Sequence, residues 1–240
     1  MAVKYRLTVI LGSAFWARPL ANHGNPGQKT MNATPDVLAP KGDIQSIDII
    51  LRGKPGSPLV VHQFDEKAKR EIRKKQAKNA KQAKEARDPQ AEFLAARYVD
   101  AEGRECAPIT ALKKAIVSAA TAFEDLTKVA LRQALFVSPT VAPTSQLVPI
   151  EMFDGTPAVG VFAEHAVTIG INTRGLAYRP VYNEWQLRVT VEYNPRLVSE
   201  EQLLALIKQA GWGVGICEGR PEKSSALGWG RFERYVPVPA

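Results

Sequence analysis

The sequence predicts an α+β fold carrying a basic helical insertion, and three features of the chain predict it. Trp185 to Tyr193 alternates apolar and polar residues with the period of a half-buried strand. Ser199 then opens a helix with Gln202 at the capping-box position, and that helix presents Leu203, Leu204, Leu206 and Ile207. A glycine-rich stretch follows, and then a last apolar run from Phe232 to Val236. Strand, capped helix, glycine loop and strand make up half of a ferredoxin-like β-α-β unit.

Earlier elements follow from the same patterning. Ile44 to Arg52 has strand composition, Gly53-Lys54-Pro55-Gly56 breaks it, and Ser57 to Phe64 resumes as a short apolar run. Leu94 to Val99 and Glu105 to Ile109 read as strands flanking the turn Asp100-Ala101-Glu102-Gly103. Thr110 reads as the cap of a helix with Leu112, Ile116, Ala119, Ala120 and Phe123 at helical spacing. A short helix from Asp125 to Ala134 precedes a strand at Leu135-Phe136-Val137, and Leu147 to Met152 reads as another strand. His165 to Ile171 is β-rich, and Gly170 to Gly175 holds a basic turn. In the alternating strand Trp185 joins Leu187, Val189, Val191 and Tyr193 on the core face, and Gly211 reads as the stop of the last helix.

The 240 residues suit one large domain or two small ones, and we assign 42–240 to a single domain. Residues 1–41 read as a flexible leader, with Met31 as an alternative start, because 1–30 show no period that a core could use. Leu7 to Ala17 follows Lys4 and Arg6 and mimics a short signal peptide, yet Phe15 stands where cleavage wants a small residue. No apolar run is long enough to span a membrane.

Charge is distributed unevenly. The chain carries a formal net charge of +8, and Lys67 to Arg87 alone holds ten Lys or Arg against two Glu, so the rest is close to neutral. This arm, 66–88, is rich in helix formers, with Ile72 its single large aliphatic residue. It reads as a protruding or partly disordered arm that orders on contact with an acidic partner. The plainer reading is a solvated charged helix, but ten cations against two anions exceed what solubility needs. Neutralising several phosphates would give salt-sensitive, sequence-tolerant binding. Lys69, Arg70, Arg73, Lys74, Lys75, Lys78, Lys81 and Lys84 are therefore candidate nucleic-acid contacts. Arg174 and Arg179 join them as cations near predicted strand ends, and Arg220, Lys223, Trp229 and Arg231 because the C-terminal stretch interleaves glycine, cation and tryptophan. Tyr178, Tyr182 and Trp212 are further aromatic candidates. A glycine-rich turn with its tryptophans packed in the core is the alternative for that stretch.

Several chemistries find no support. Cys106 and Cys217 lack metal-ligand spacing, and with only His23, His62 and His165 a structural zinc site is not expected. A reducing intracellular setting is the default for such a chain. The glycine-rich segments do not match a P-loop, and the carboxylates do not cluster for two-metal work. We expect no cofactor and no metal, and catalysis lacks a warrant. His62, at the end of the first apolar region, is the one candidate for general acid–base chemistry.

Three segments resemble one family. Leu51 to His62 (LRGKPGSPLVVH) is similar to the first strand of the RAMP superfamily, the repeat-associated proteins of CRISPR systems. Ala107 to Ala119 (APITALKKAIVSA) resembles its second signature, and Gly219-Arg220 through Gly228-Trp229-Gly230-Arg231-Phe232 looks like its glycine-rich loop. Lys114 departs from the pattern, standing where the superfamily prefers glycine. A set of phage-encoded, largely uncharacterised proteins similar to the RNA-coating backbone subunits of effector complexes matches best. Arg87-Asp88-Pro89, Leu147 to Ile150, Tyr178-Arg179-Pro180, Glu184-Trp185 and Arg220 to Lys223 carry that likeness.

The resemblance implies a RAMP-like variant of the ferredoxin/RRM fold. It also implies sequence-tolerant binding of single-stranded DNA or RNA by a homo-oligomer or filament in the cytoplasm of a bacterial host. Replication, recombination and genome protection are the roles it suggests. Two other readings stand beside it: a metal-independent RNA endonuclease working through His62, and an anti-defence protein imitating a CRISPR effector subunit.

Overall fold

The computed structural model describes residues 44–63, 87–168, 174–224 and 226–237, and its elements follow the apolar patterning of the chain. In order they are β1 (Gln45–Gly53), β2 (Leu59–Val60), α1 (Pro89–Ala95), β3 (Tyr98–Val99), β4 (Glu105–Pro108) and α2 (Ile109–Ala119). A 3-10 turn (Ala120–Ala122) leads to α3 (Lys128–Ala134), β5 (Leu135–Pro139), β6 (Leu147–Pro149), β7 (Val161–Thr168), β8 (Arg174–Tyr182) and β9 (Gln186–Tyr193). Then α4 (Glu200–Gln209) runs into a π-type turn (Ala210–Val214), and β10 (Phe232–Tyr235) comes last.

The fold is α+β with antiparallel sheets. The largest sheet has the order β10-β1-β9-β5, with every neighbouring pair antiparallel. Among its four strands and the helices α2 and α4, the chain runs strand, helix, strand, strand, helix, strand. In space the strands lie fourth, first, third, second. Alternation along β1 and β9 puts Ile49, Leu51, Leu187, Val189, Val191 and Tyr193 on the buried side. They share one core with Leu112 and Ile116 of α2, Leu203, Leu206 and Ile207 of α4, and Phe232 of β10. Burying each such aliphatic side chain stabilises the fold by about 1.5–3 kcal/mol. Trp185 is fully buried as expected, and its Nε1 donates to the carbonyl of Ser57 at 3.0 Å.

Two smaller sheets have the orders β2-β8-β7 and β3-β4-β6. A buried carboxylate ties them together. Glu105 of β4 accepts from the Tyr182 hydroxyl of β8 at 2.6 Å, from Gly160 N at 2.7 Å and from Arg97 Nη1 at 2.9 Å. Three donors compensate the loss of water at that carboxylate. Burial, and then the bond to Glu105, push the Tyr182 phenol far above its usual range, so it stays a donor.

Several boundaries differ from the sequence reading, each for a local reason. Leu94 and Ala95 lie in α1 rather than in a strand. Asp88 caps that helix by accepting from Gln90 N and Ala91 N, and Pro89 occupies its first turn. Thr110 lies inside α2, whose N-cap Pro108 makes no side-chain cap bond. Thr127 caps α3 by accepting from Ala130 N at 3.1 Å, which leaves Asp125 in the preceding turn. Within the described part of the apolar run Ser57–Phe64 only Leu59–Val60 form a strand, β2, and the strand read over Leu147–Met152 shortens to β6.

Gly211 does not stop the last helix. Gly215 N donates to Ala210 O at 2.8 Å and closes a π-type turn beyond it. A Cβ on Gly211 would lie 2.0 Å from the Phe232 carbonyl oxygen. Glycine is required there because the turn touches the β10 backbone, not because the helix ends. The leader 1–41 and most of the basic arm, 66–86, lie outside the described residues.

Candidate functional site

The three segments that resemble one family come together in space, and hydrogen bonds interlock them. Glu218 N donates to Val60 O at 3.0 Å, Gly230 N to Pro58 O at 2.9 Å, and Ser57 Oγ to Gly228 O at 2.6 Å. The glycine-rich loop is thereby laced to the segment around β2. Within the loop, Ile216 N donates to Gly230 O at 3.0 Å and Trp229 N to Gly219 O at 3.2 Å. Ser118, near the end of α2, donates from Oγ to Glu222 and fastens the loop to that helix.

These elements enclose a cleft of about 300 Å³. His62 and Tyr98 line one part of it, and Thr110, Ala111 and Lys114 of α2 another. The loop supplies Gly215, Cys217, Glu218, Arg220 and Glu222. Arg220 donates from Nη1 to Cys217 O at 2.8 Å and from Nε to Glu222 at 3.4 Å. Glu218 pairs with Arg179 at 3.2 Å. Both cleft carboxylates are thus compensated. Lys114 is exposed and has no ion-pair partner among the described residues, so its ammonium is an uncompensated charge at the cleft.

Hydrogen bonds and burial set the charge states of the cleft groups. The Ser118 hydrogen bond, with Arg220 and Lys223 beside it, holds the Glu222 carboxyl below the usual carboxylate range. Burial, followed by the charge of Glu218, pushes the Cys217 thiol up to about 12, so no thiolate is present at neutral pH. Burial, followed by the nearby Cys217 and Glu218, raises the Tyr98 phenol, whose hydroxyl meets His62 O at 3.4 Å. No group of His, Cys, Asp and Glu among the described residues could hold a metal ion. Among them, too, no helix is long and apolar enough to cross a membrane.

The sequence-derived candidates separate. His62 and Arg220 line the cleft, and Lys223 is exposed beside Arg220. Arg179 lies away from the cleft lining, largely buried, with its charge on Glu218. Arg231 donates to Trp212 O at 3.2 Å and serves the loop. Trp229 is half-buried, packed on Gly219 and tilted against His165 at 4.8 Å, so it wedges the loop instead of presenting an open face. Burial, then Arg179, lower the pKa of His165, which keeps its ring neutral at neutral pH. Arg174 begins β8, and its side chain lies outside the described residues, as do Lys69, Arg70, Arg73, Lys74, Lys75, Lys78, Lys81 and Lys84.

The arm nevertheless has a defined point of insertion. The undescribed stretch, 64–86, lies between Gln63, which follows the cleft residue His62 in sequence, and Arg87. Gln63 N donates to Ala96 O at 2.9 Å on the near side. Arg87 donates to Leu176 O at 2.7 Å and lies over the Tyr178 ring at 5.5 Å on the far side.

Sequence reasoning passed over Tyr98, Thr110, Ser118 and Glu222 as site residues. Tyr98 stands in no motif, while Thr110, Ser118 and Glu222 lie inside the resembling segments but are neither cations nor aromatics; the fold brings Tyr98, Thr110 and Glu222 to the cleft and Ser118 onto Glu222. Lys114 did carry a signal, as a charge where the resembled family prefers glycine. The open face of the large sheet offers no free ring at Tyr235, because the Arg52 guanidinium sits 3.3 Å from its centroid.

No protein-family model matches the chain, and no curated protein does. Among solved structures it is similar to the crystal structure of Cmr6 from Pyrococcus furiosus. That likeness has a TM-score of 0.36 and 12% identity over 80% of this chain and 99% of that one.

Proposed function

We propose that this chain is a RAMP-like variant of the ferredoxin/RRM fold that binds single-stranded DNA or RNA with little regard to sequence. It coats the strand as a cooperative oligomer, and phage replication, recombination or genome protection in the host cytoplasm is its setting. The strand order fourth, first, third, second, with a helix after the first and third strands, supports the fold assignment.

One observation carries the functional reading. Segments far apart in the chain, each similar to a signature of one superfamily, line a single cleft, and His62 of that lining shortly precedes the basic arm in sequence. The Glu218 and Glu222 charges are compensated there, and Lys114 is left to meet a phosphate. The arm, with its ten Lys or Arg, adds sequence-independent electrostatic affinity.

The test is a titration of the purified full chain against single-stranded DNA, single-stranded RNA and duplex at 50 and 200 mM salt. Single strands should bind more tightly than duplex, and affinity should fall steeply with salt. Equal affinity for all three, or none for any, overturns the reading. Because His62 lines the cleft, the same samples also test metal-independent RNA cleavage: our reading expects intact RNA with and without magnesium. Cleavage that disappears in His62→Ala would put the endonuclease in its place.

A further inference from the structure

An exposed aromatic ring in this structure normally carries a partner on its face. Phe136 has the Lys113 ammonium at 4.3 Å, Phe153 has the Arg52 guanidinium at 5.1 Å, and Phe162 stacks with Tyr178 at 5.8 Å. Trp185 and Tyr182 are buried, and Trp229 is packed on Gly219. Trp212 differs from all of them. It is 61% exposed, and among the described residues no ring and no cation covers it.

Its backbone, by contrast, is held firmly. Trp212 sits in the π-type turn whose closing bond runs from Gly215 N to Ala210 O at 2.8 Å. Its own carbonyl accepts from Arg231 Nε at 3.2 Å. Gly211, just before it, is pressed against the Phe232 backbone, which fixes where the turn lies. Val214 and Gly215, two and three residues on, line the cleft described above.

We propose that Trp212 is a stacking platform for one unpaired nucleobase of a strand whose phosphates lie in that cleft. The inference rests on the reading of the cleft as a single-strand site and assigns its base-contacting residue. A flat ring on a rigid backbone suits stacking, which any base can satisfy and which therefore carries no sequence preference. The setting favours a base over a protein partner. Glycines flank the indole on both sides, the guanidinium of Arg231 is bonded to its carbonyl, and Lys208 is exposed in the last turn of α4. Glycine and cation around a lone ring suit a charged, aromatic ligand better than an apolar protein face.

The test compares a labelled single strand of twenty nucleotides with one of equal length in which abasic units replace the bases, using fluorescence anisotropy. The full chain should prefer the base-bearing strand. Trp212→Ala should lose that preference, binding the base-bearing strand roughly five- to a hundredfold more weakly and the abasic strand unchanged. Trp212→Phe, which keeps a ring, should retain most of the preference. If Trp212→Ala keeps the full preference, the assignment is overturned while the cleft reading stands. If neither strand binds the unaltered chain, both fall. If only the oligomeric state of Trp212→Ala changes, in light scattering, Trp212 serves a contact between protein copies and the assignment is likewise wrong.

Discussion

The indole of Trp229 lies directly on the Cα of Gly219. A Cβ at that glycine would stand 2.2 Å from Trp229 Cε3, and its φ of +62° is one that side chains rarely adopt. The loop thus closes on itself through one close approach that no other residue permits. Gly219→Ala should cost more than about 2 kcal/mol, or at least roughly 4 °C in Tm. Gly228→Ala is the control, since its Cβ would make an ordinary contact with Arg231 Cδ at 3.5 Å. Thermal melts of the two variants check this, and an unchanged Tm in Gly219→Ala would contradict the packing.

The bond from Ser118 to Glu222 makes the attachment of the loop pH-dependent. The folded Glu222 carboxyl sits below its ordinary value, chiefly because Ser118 donates to it. A depressed folded pKa contributes stability that is present above the unfolded carboxylate value of about 4.3 and is lost as pH falls below it. Ser118→Ala should therefore be less stable than the unaltered chain at pH 6, and the gap should narrow towards pH 3.5. Urea midpoints at several pH values measure the gap. A gap that stays constant over that range would mean that the carboxylate is not what Ser118 stabilises.

Arg220 and Lys223 should behave differently, although both follow Gly219 within four residues. Arg220 is bonded to Cys217 O and Glu222, so Arg220→Ala removes a loop anchor and should lower both Tm and affinity. Lys223 is exposed, so Lys223→Ala should weaken binding and leave Tm within about 1 °C. Melts and titrations on the same preparations separate the two. A fall in Tm for Lys223→Ala would show that the loop is held by more than Arg220.

Much of this architecture was legible in the chain because local patterns dictate it. The alternation of β9 and the capping box at Ser199 and Gln202 have their expected geometry, with Ser199 Oγ accepting from Gln202 N at 3.2 Å. Trp185 lies in the core for the same reason. What could not be read depends on partners distant in sequence. Gly211 resembles a helix stop until β10 is seen against it, and Leu94 resembles a strand residue until Asp88 and Pro89 are taken as a helix start. At the site, glycine, cation and aromatic spacing found the loop but not the division of labour within it. Trp229 and Arg231 hold the loop, while Lys114 and Tyr98 reach the cleft from elements that carry no loop motif.

The basic arm should supply affinity without discrimination. Changing Lys74, Lys75, Lys78 and Lys81 to Gln removes up to four phosphate contacts. The slope of log affinity against log salt should then fall by up to roughly 3, at about 0.7 per phosphate on a single strand. The loss should be the same for every sequence tested. An unchanged slope would mean that the arm serves another partner.

Where a bound strand touches the chain is the central question, and zero-length ultraviolet cross-linking of a single strand to the full chain, mapped by mass spectrometry, answers it most directly. The account predicts cross-linked peptides from the loop 211–223, from the first turns of α2 around Thr110 and Lys114, and from the arm. Cross-links confined to the open face of the large sheet, around Arg52, Arg188 and Tyr235, would contradict it.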